Sequence, residues 1–184
     1  VRFDKVRFGE GNVSFAKSVF RNLHFNGSFS GQGEVIFSGS SFHGTILISV
    51  SDLGQKDLNF STTTGEESPT YGPVRFYGDH LSLTILRSLG SIISFNRSEF
   101  HSEHVYLDLS GAQALEQVSF GMTVWYSNSV YIRGLQLRQG DEQILSFARA
   151  SFEPVGMLTF EGLGMIHGRL LFDYVRFPID GLTR

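Results

Sequence analysis

The densest group of side chains able to do chemistry is His101-Ser-Glu-His104, with Glu99 and Asp108 close by. Two imidazoles and a carboxylate are a zinc-type donor set. A zinc protease would carry the pair as HExxH on a helix, which this segment does not match, and no second histidine cluster supports it. The segment falls between two strand signatures, on a turn where polar residues are expected. It reads as solvated corner, and no metal is expected. Carboxylates come next. Glycoside hydrolysis needs two acids facing one cleft, but Asp108, Glu116, Asp141, Glu142, Glu153, Glu161 and Asp173 are scattered. No GxSxG turn marks a serine nucleophile. Gly31-Gln-Gly33 does not precede a helix, so it makes no phosphate cradle. Sequons at Asn12, Asn26, Asn59 and Asn96 are what a Ser-rich chain produces by chance. The expectation is therefore no catalytic residue, no enzymatic activity and no cofactor.

Whatever these side chains do, strands must position them. From Ile93 to Phe177 an apolar–any–apolar signature returns roughly every dozen residues, the mark of a solenoid. The copies are Ile93-Ser-Phe95, Val105-Tyr-Leu107, Val118-Ser-Phe120, Val130-Tyr-Ile132, Leu145-Ser-Phe147, Leu158-Thr-Phe160 and Leu170-Leu-Phe172. Every second copy carries another aromatic five residues on: Phe95 with Phe100, Phe120 with Trp125, Phe147 with Phe152, Phe172 with Phe177. The N-terminal part repeats the pattern at Val13-Ser-Phe15 with Phe20, Leu23-His-Phe25, Val35-Ile-Phe37 with Phe42, and Ile46-Leu-Ile48. Two alternating kinds of strand thus make one coil of roughly two dozen residues, stacked at about 4.8 Å.

The expected fold is all-β, a single right-handed parallel β-helix (β-solenoid) over residues 1–184. About seven coils would make it about 35 Å long at the strand spacing. Phe15, Phe37, Phe95, Phe120, Phe147 and Phe172 are expected in one internal column, the trailing aromatics in a second. The pattern breaks at 61–73, STTTGEESPTYGP, read as a projecting loop. After it, either Val74-Arg-Phe76 or Leu81-Ser-Leu83 resumes the stack, and the pattern does not choose between them.

Residues i and i+2 of a strand share a face, so the middle residue of each signature points outward. In one kind of strand these are Ser14, Ile36, Asn59, Ser94, Ser119, Ser146 and Leu171, a mostly polar strip. In the other they are His24, Leu47, Tyr106, Tyr131 and Thr159. Tyr106 and Tyr131 occupy the same position one coil apart. They should stack at the surface, as a docking patch for protein or carbohydrate.

Composition narrows the partners. A net charge of −3 over 184 residues supplies no basic stripe for nucleic acid. With 18 Phe and 21 Gly the chain is made for stacked rings and tight turns, and without cysteine it has no thiolate chemistry. No apolar run approaches a membrane span. The chain opens on Val1, which points to a piece of something longer.

The segments FAKSVF, FSGSSF, FNRSEF, FARASF and FDYVRF carry a large apolar residue every five positions. In most of them a small residue stands two before the second aromatic. In this they resemble pentapeptide-repeat proteins. That resemblance implies a four-sided, right-handed parallel β-helix that works by protein interaction, without catalysis. The alternate strands VYLDL, VYIRGLQL and LTFEGLGM depart from the five-residue period. The function expected is a non-enzymatic interaction or spacer module of a larger, bacterial protein, its partner another protein. The alternatives are an extracellular adhesin or carbohydrate-binding β-helix and, behind that, a polysaccharide lyase or hydrolase. FDKVRF at the start and FDYVRF near the end are nearly identical, so neither end reads as capped, and end-to-end self-association would cover both.

Overall fold

The computed structural model describes residues 1–62, 72–89, 92–111, 117–134, 144–153, 156–162 and 169–177. The first strands are β1 (Arg2–Phe8), β2 (Val13–Ser14), β3 (Val19–Arg21), β4 (His24–Phe29), β5 (Gln32–Ile36) and β6 (Ser41–Asp52). Next come β7 (Gln55–Asn59), β8 (Arg75–Ile85), β9 (Ile92–Ser94), β10 (Glu99–Asp108), β11 (Gln117–Ser119) and β12 (Val124–Trp125). The last are β13 (Ser129–Arg133), β14 (Ile144–Ser146), β15 (Ser151–Phe152), β16 (Met157–Glu161) and β17 (Arg169–Leu171). All pairings are parallel. One sheet runs β2-β5-β7-β9-β11-β14-β17; the other runs β1-β4-β6-β8-β10-β12-β15, with β3, β13 and β16 joined to it. Each coil gives one strand to the first sheet and then one long strand, or two short ones, to the second. This is the expected all-β parallel β-helix.

Seven strands stack in the first sheet, yet about five turns are complete, fewer than the seven expected. Among the described residues the end coils are partial. β1 lies beyond the level of β2, and above β17 the described part of the second sheet adds an isolated bridge from Arg176 to Ser151.

The period-2 pattern places the core. Phe15, Phe37, Phe60, Phe95, Phe120, Phe147 and Phe172 form one column, with successive centroids 4.7–5.3 Å apart and rings near parallel. Phe60 fills the level between Phe37 and Phe95. The trailing aromatics Phe20, Phe42, Phe76, Phe100, Trp125, Phe152 and Phe177 form the second column. Each fully buried ring contributes about 1.5–3 kcal/mol from burial. The open choice after the break resolves as both. Phe76 pairs with Phe42 and Leu83 with Ile48, all on β6 and β8. The inserted stretch therefore separates Phe60 from its own trailing aromatic, and its residues 63–71 lie outside the described residues.

The five-residue segments are turns with one shared geometry. Their third residue has positive φ: Lys17, Gly39, Arg97, Met122, Arg149 and Tyr174, whereas the positive φ of Lys5 marks a register shift inside β1. In most of them the fourth donates its N–H back to the first, as Ser40 does to Phe37 (3.0 Å) and Ser98 to Phe95 (2.9 Å), while the Ser18 N–H donates to Ser40 Oγ (2.9 Å). A positive φ at the third place of such a turn is the type II pattern. The fourth side chain points inward, which is why it is small. Ser98 Oγ donates to the carbonyl of Phe60 at 2.8 Å and Ser40 Oγ to that of Phe15 at 2.7 Å. Elsewhere a corner closes so tightly that only glycine fits: a Cβ on Gly78 would come within 2.4 Å of the Gly44 nitrogen.

Two expectations are corrected, and a third point concerns the two ends. Ser119 and Ser146 are middle residues of their signatures, yet they are only 5% and 8% exposed. The first strip is therefore not uniformly exposed. His101 to His104 is not a turn between strands but the middle of β10, with Ser102 buried. FDKVRF and FDYVRF do not occupy equivalent faces. Phe3 pairs with Phe25 in the second sheet, whereas Phe172 stacks on Phe147 in the other column. Similar hexapeptides land differently because coil position depends on how many residues precede the turn.

Candidate interaction surface

β10 and β13 bring Tyr106 and Tyr131 opposite each other. Their centroids are 5.2 Å apart with planes within 5°, both half-buried, as the strand period requires. The column they belong to runs His24, Leu47, Ser82, Tyr106, Tyr131, Thr159. Tyr106 is held at its tip, where its hydroxyl donates to Asp108 Oδ2 at 3.3 Å. Asp108 also accepts from Ser110 N (3.0 Å) and Ser110 Oγ (2.6 Å), and Arg133 lies 3.9 Å away. Partial burial pushes the Asp108 carboxyl up, but the Ser110 donors, Arg133 and Tyr106 together outweigh it. It titrates below its ordinary value. Asp108 is thus a clamp on the tyrosine row.

A second row of outward rings lies around the corner. His43 stacks on Tyr77 (5.2 Å), Tyr77 on His101 (4.8 Å) and His101 on Tyr126 (4.7 Å), all within 24° of parallel. Each ring directly follows a trailing core aromatic: Phe42-His43, Phe76-Tyr77, Phe100-His101, Trp125-Tyr126. Those doublets are visible in the sequence. They escape notice when only the middle residues of the signatures are followed. The register extends the row to Arg21, which pairs with His43, and to Glu153, which follows Phe152 as Tyr126 follows Trp125.

Beside this row a parallel column runs Val19, Ser41, Arg75, Glu99, Val124, Ser151. Arg75 Nε donates to Glu99 Oε2 at 2.9 Å and Nη2 to Oε1 at 3.4 Å. Burial pushes Glu99 up, while Arg75 and His101 pull it down further, so it too lies below its usual range. The hydrogen bond to Glu99 raises Arg75.

The polar cluster singled out in the sequence is thereby split. His101 sits in the ring row beside Glu99 (3.4 Å), whereas His104 lies past the corner, its Nδ1 2.8 Å from Ser129 Oγ and its strand position paired with His80. Among the described residues no group of three or more His, Cys, Asp or Glu is placed to hold a metal ion. Of the scattered acids, Glu153 accepts from Ser151 Oγ at 2.8 Å, and Glu161 and Asp173 are exposed. Glu116, Asp141 and Glu142 lie outside the described residues. Among the described residues no helix is long and apolar enough to cross a membrane.

Comparison with protein-family models, with curated proteins and with solved structures finds no match to this chain.

Proposed function

We propose that this β-helix is a non-enzymatic interaction or spacer module that docks another protein through the Tyr106–Tyr131 row. The observation that carries the reading is the anchored parallel stack. Two tyrosines on adjacent strands, one fixed at its hydroxyl by Asp108, present apolar edges and hydroxyls with little side-chain entropy left to lose. Stacking also argues for protein over carbohydrate. Sugars pack on open ring faces, and here each ring covers one face of the other.

The finer reading, a pentapeptide-repeat-like coil, draws support from the shared turn. A left-handed third residue and an inward small fourth residue between two core aromatics recur in FAKSVF, FSGSSF, FNRSEF and FARASF. A scaffold role is in keeping with that architecture, since a rigid stack spaces whatever is joined to it.

The test is the double variant Tyr106→Ser with Tyr131→Ser, compared with wild type in affinity capture and thermal melting. Loss of a partner with the melting temperature nearly unchanged supports the reading. Collapse of stability, or undiminished capture, sinks it.

A further inference from the structure

The His43–Tyr77–His101–Tyr126 face is complementary to its own reverse. Its two outward columns run, coil by coil, Val19 and Arg21, Ser41 and His43, Arg75 and Tyr77, Glu99 and His101, Val124 and Tyr126, Ser151 and Glu153. When this list is laid against its own reverse, Arg21 meets Glu153, His43 meets Tyr126, Tyr77 meets His101 and Arg75 meets Glu99. Every cation faces an anion and every histidine faces a tyrosine.

We propose that this face is a self-association surface, on which a second copy of the chain packs antiparallel about a two-fold axis between the levels of Tyr77 and His101. An in-plane two-fold perpendicular to the solenoid axis keeps each column opposite itself while reversing coil order. Such isologous contacts need a self-complementary patch, and this face is one. The partner must also share the period. Rings 4.7–5.2 Å apart mesh continuously only with a surface of the same rise, which a second copy has by construction. Exposure is in keeping: Val19 is 65% and Tyr126 49% exposed, and Arg21 is exposed. A parallel pairing would instead bring Arg21 near Arg21 and Glu153 near Glu153, which like-charge repulsion opposes. The face is small beside a standard interface, so dissociation in the micromolar range is expected. This inference does not use Tyr106 or Tyr131, so it stands or falls apart from the docking reading above.

Sedimentation velocity across a micromolar concentration series tests it on the full chain. Wild type should dimerise. Arg21→Glu and Glu153→Arg should each weaken the dimer by about tenfold, since each places like charges at both ends of the interface. The chain carrying both changes should recover wild-type affinity, and so should an equimolar mixture of the two single variants, which restores opposite charges at both ends. That recovery also shows that the variants are folded. A wild type that stays monomeric overturns the proposal. So does a dimer indifferent to the reversals, or one weakened by them that neither the double change nor the mixture restores.

Discussion

The rings of Phe100 and Trp125 lie 3.8 Å apart, centroid to centroid, and within 4° of parallel. This is the closest ring pair in either core column. Trp125 is fully buried, and its Nε1 donates to Thr123 Oγ1 at 2.8 Å, which in turn donates to the Phe120 carbonyl at 2.7 Å. The indole is therefore satisfied at its polar edge and packed on both faces, by Phe100 and by Phe152.

Replacing Trp125 by Ala should cost about 3–5 kcal/mol, as for large aromatic truncations in a core. Phe in its place should cost far less, because the column stays filled. Denaturant melts of the two variants compare the costs. As Trp125 is the only tryptophan, its emission should be blue-shifted in the native protein and shift red as the stack opens.

The left-handed turn residues predict a gain in stability. Arg97 has φ of 62°, a conformation that costs an L residue about 1–2 kcal/mol and glycine almost nothing. Glycine loses more entropy on folding, which offsets part of that relief. Arg97→Gly is expected to hold or raise the melting temperature, and Arg97→Val to lower it, since branching at Cβ worsens the strain. The reverse order would show that the turn does not hold its left-handed form in solution.

Acid should loosen the outer face before the core. Glu99 and Asp108 both titrate below their unfolded values, so their contribution is fully present above an ordinary carboxyl pKa of about 4. It is lost as pH falls through the lower folded values. Melting temperature should thus be level near neutrality and decline below about pH 4. Glu99→Gln and Asp108→Asn should each lower the plateau and flatten the decline. An acid limb unchanged by both substitutions would remove these carboxylates from the account.

Much of the fold was legible because its rule is local. Val118-Ser-Phe120 buries its flanking residues for reasons contained in three positions, and five-residue spacing to Trp125 is one turn. The tyrosine stack was legible for the same reason: Val105-Tyr-Leu107 and Val130-Tyr-Ile132 announce their own orientation. The His–Tyr row was harder. Tyr77 joins His43 to His101 only if coils 43 and 77 are neighbours, and the inserted stretch between Phe60 and Phe76 hides that adjacency.

Strand period, parallel stacking and the identity of the core columns were thus determined by the sequence itself, since side-chain alternation and turn chemistry act over a few residues. Neighbour relations between coils were decided by the tertiary structure, because they depend on how many residues each corner consumes. The buried cation shows the difference. Lys56 looks like any surface lysine in sequence, yet it is fully buried, its Nζ donating to the carbonyls of Gly11 (2.5 Å) and Gln32 (2.8 Å). Those two acceptors come from two earlier coils, and only stacking brings them to one point.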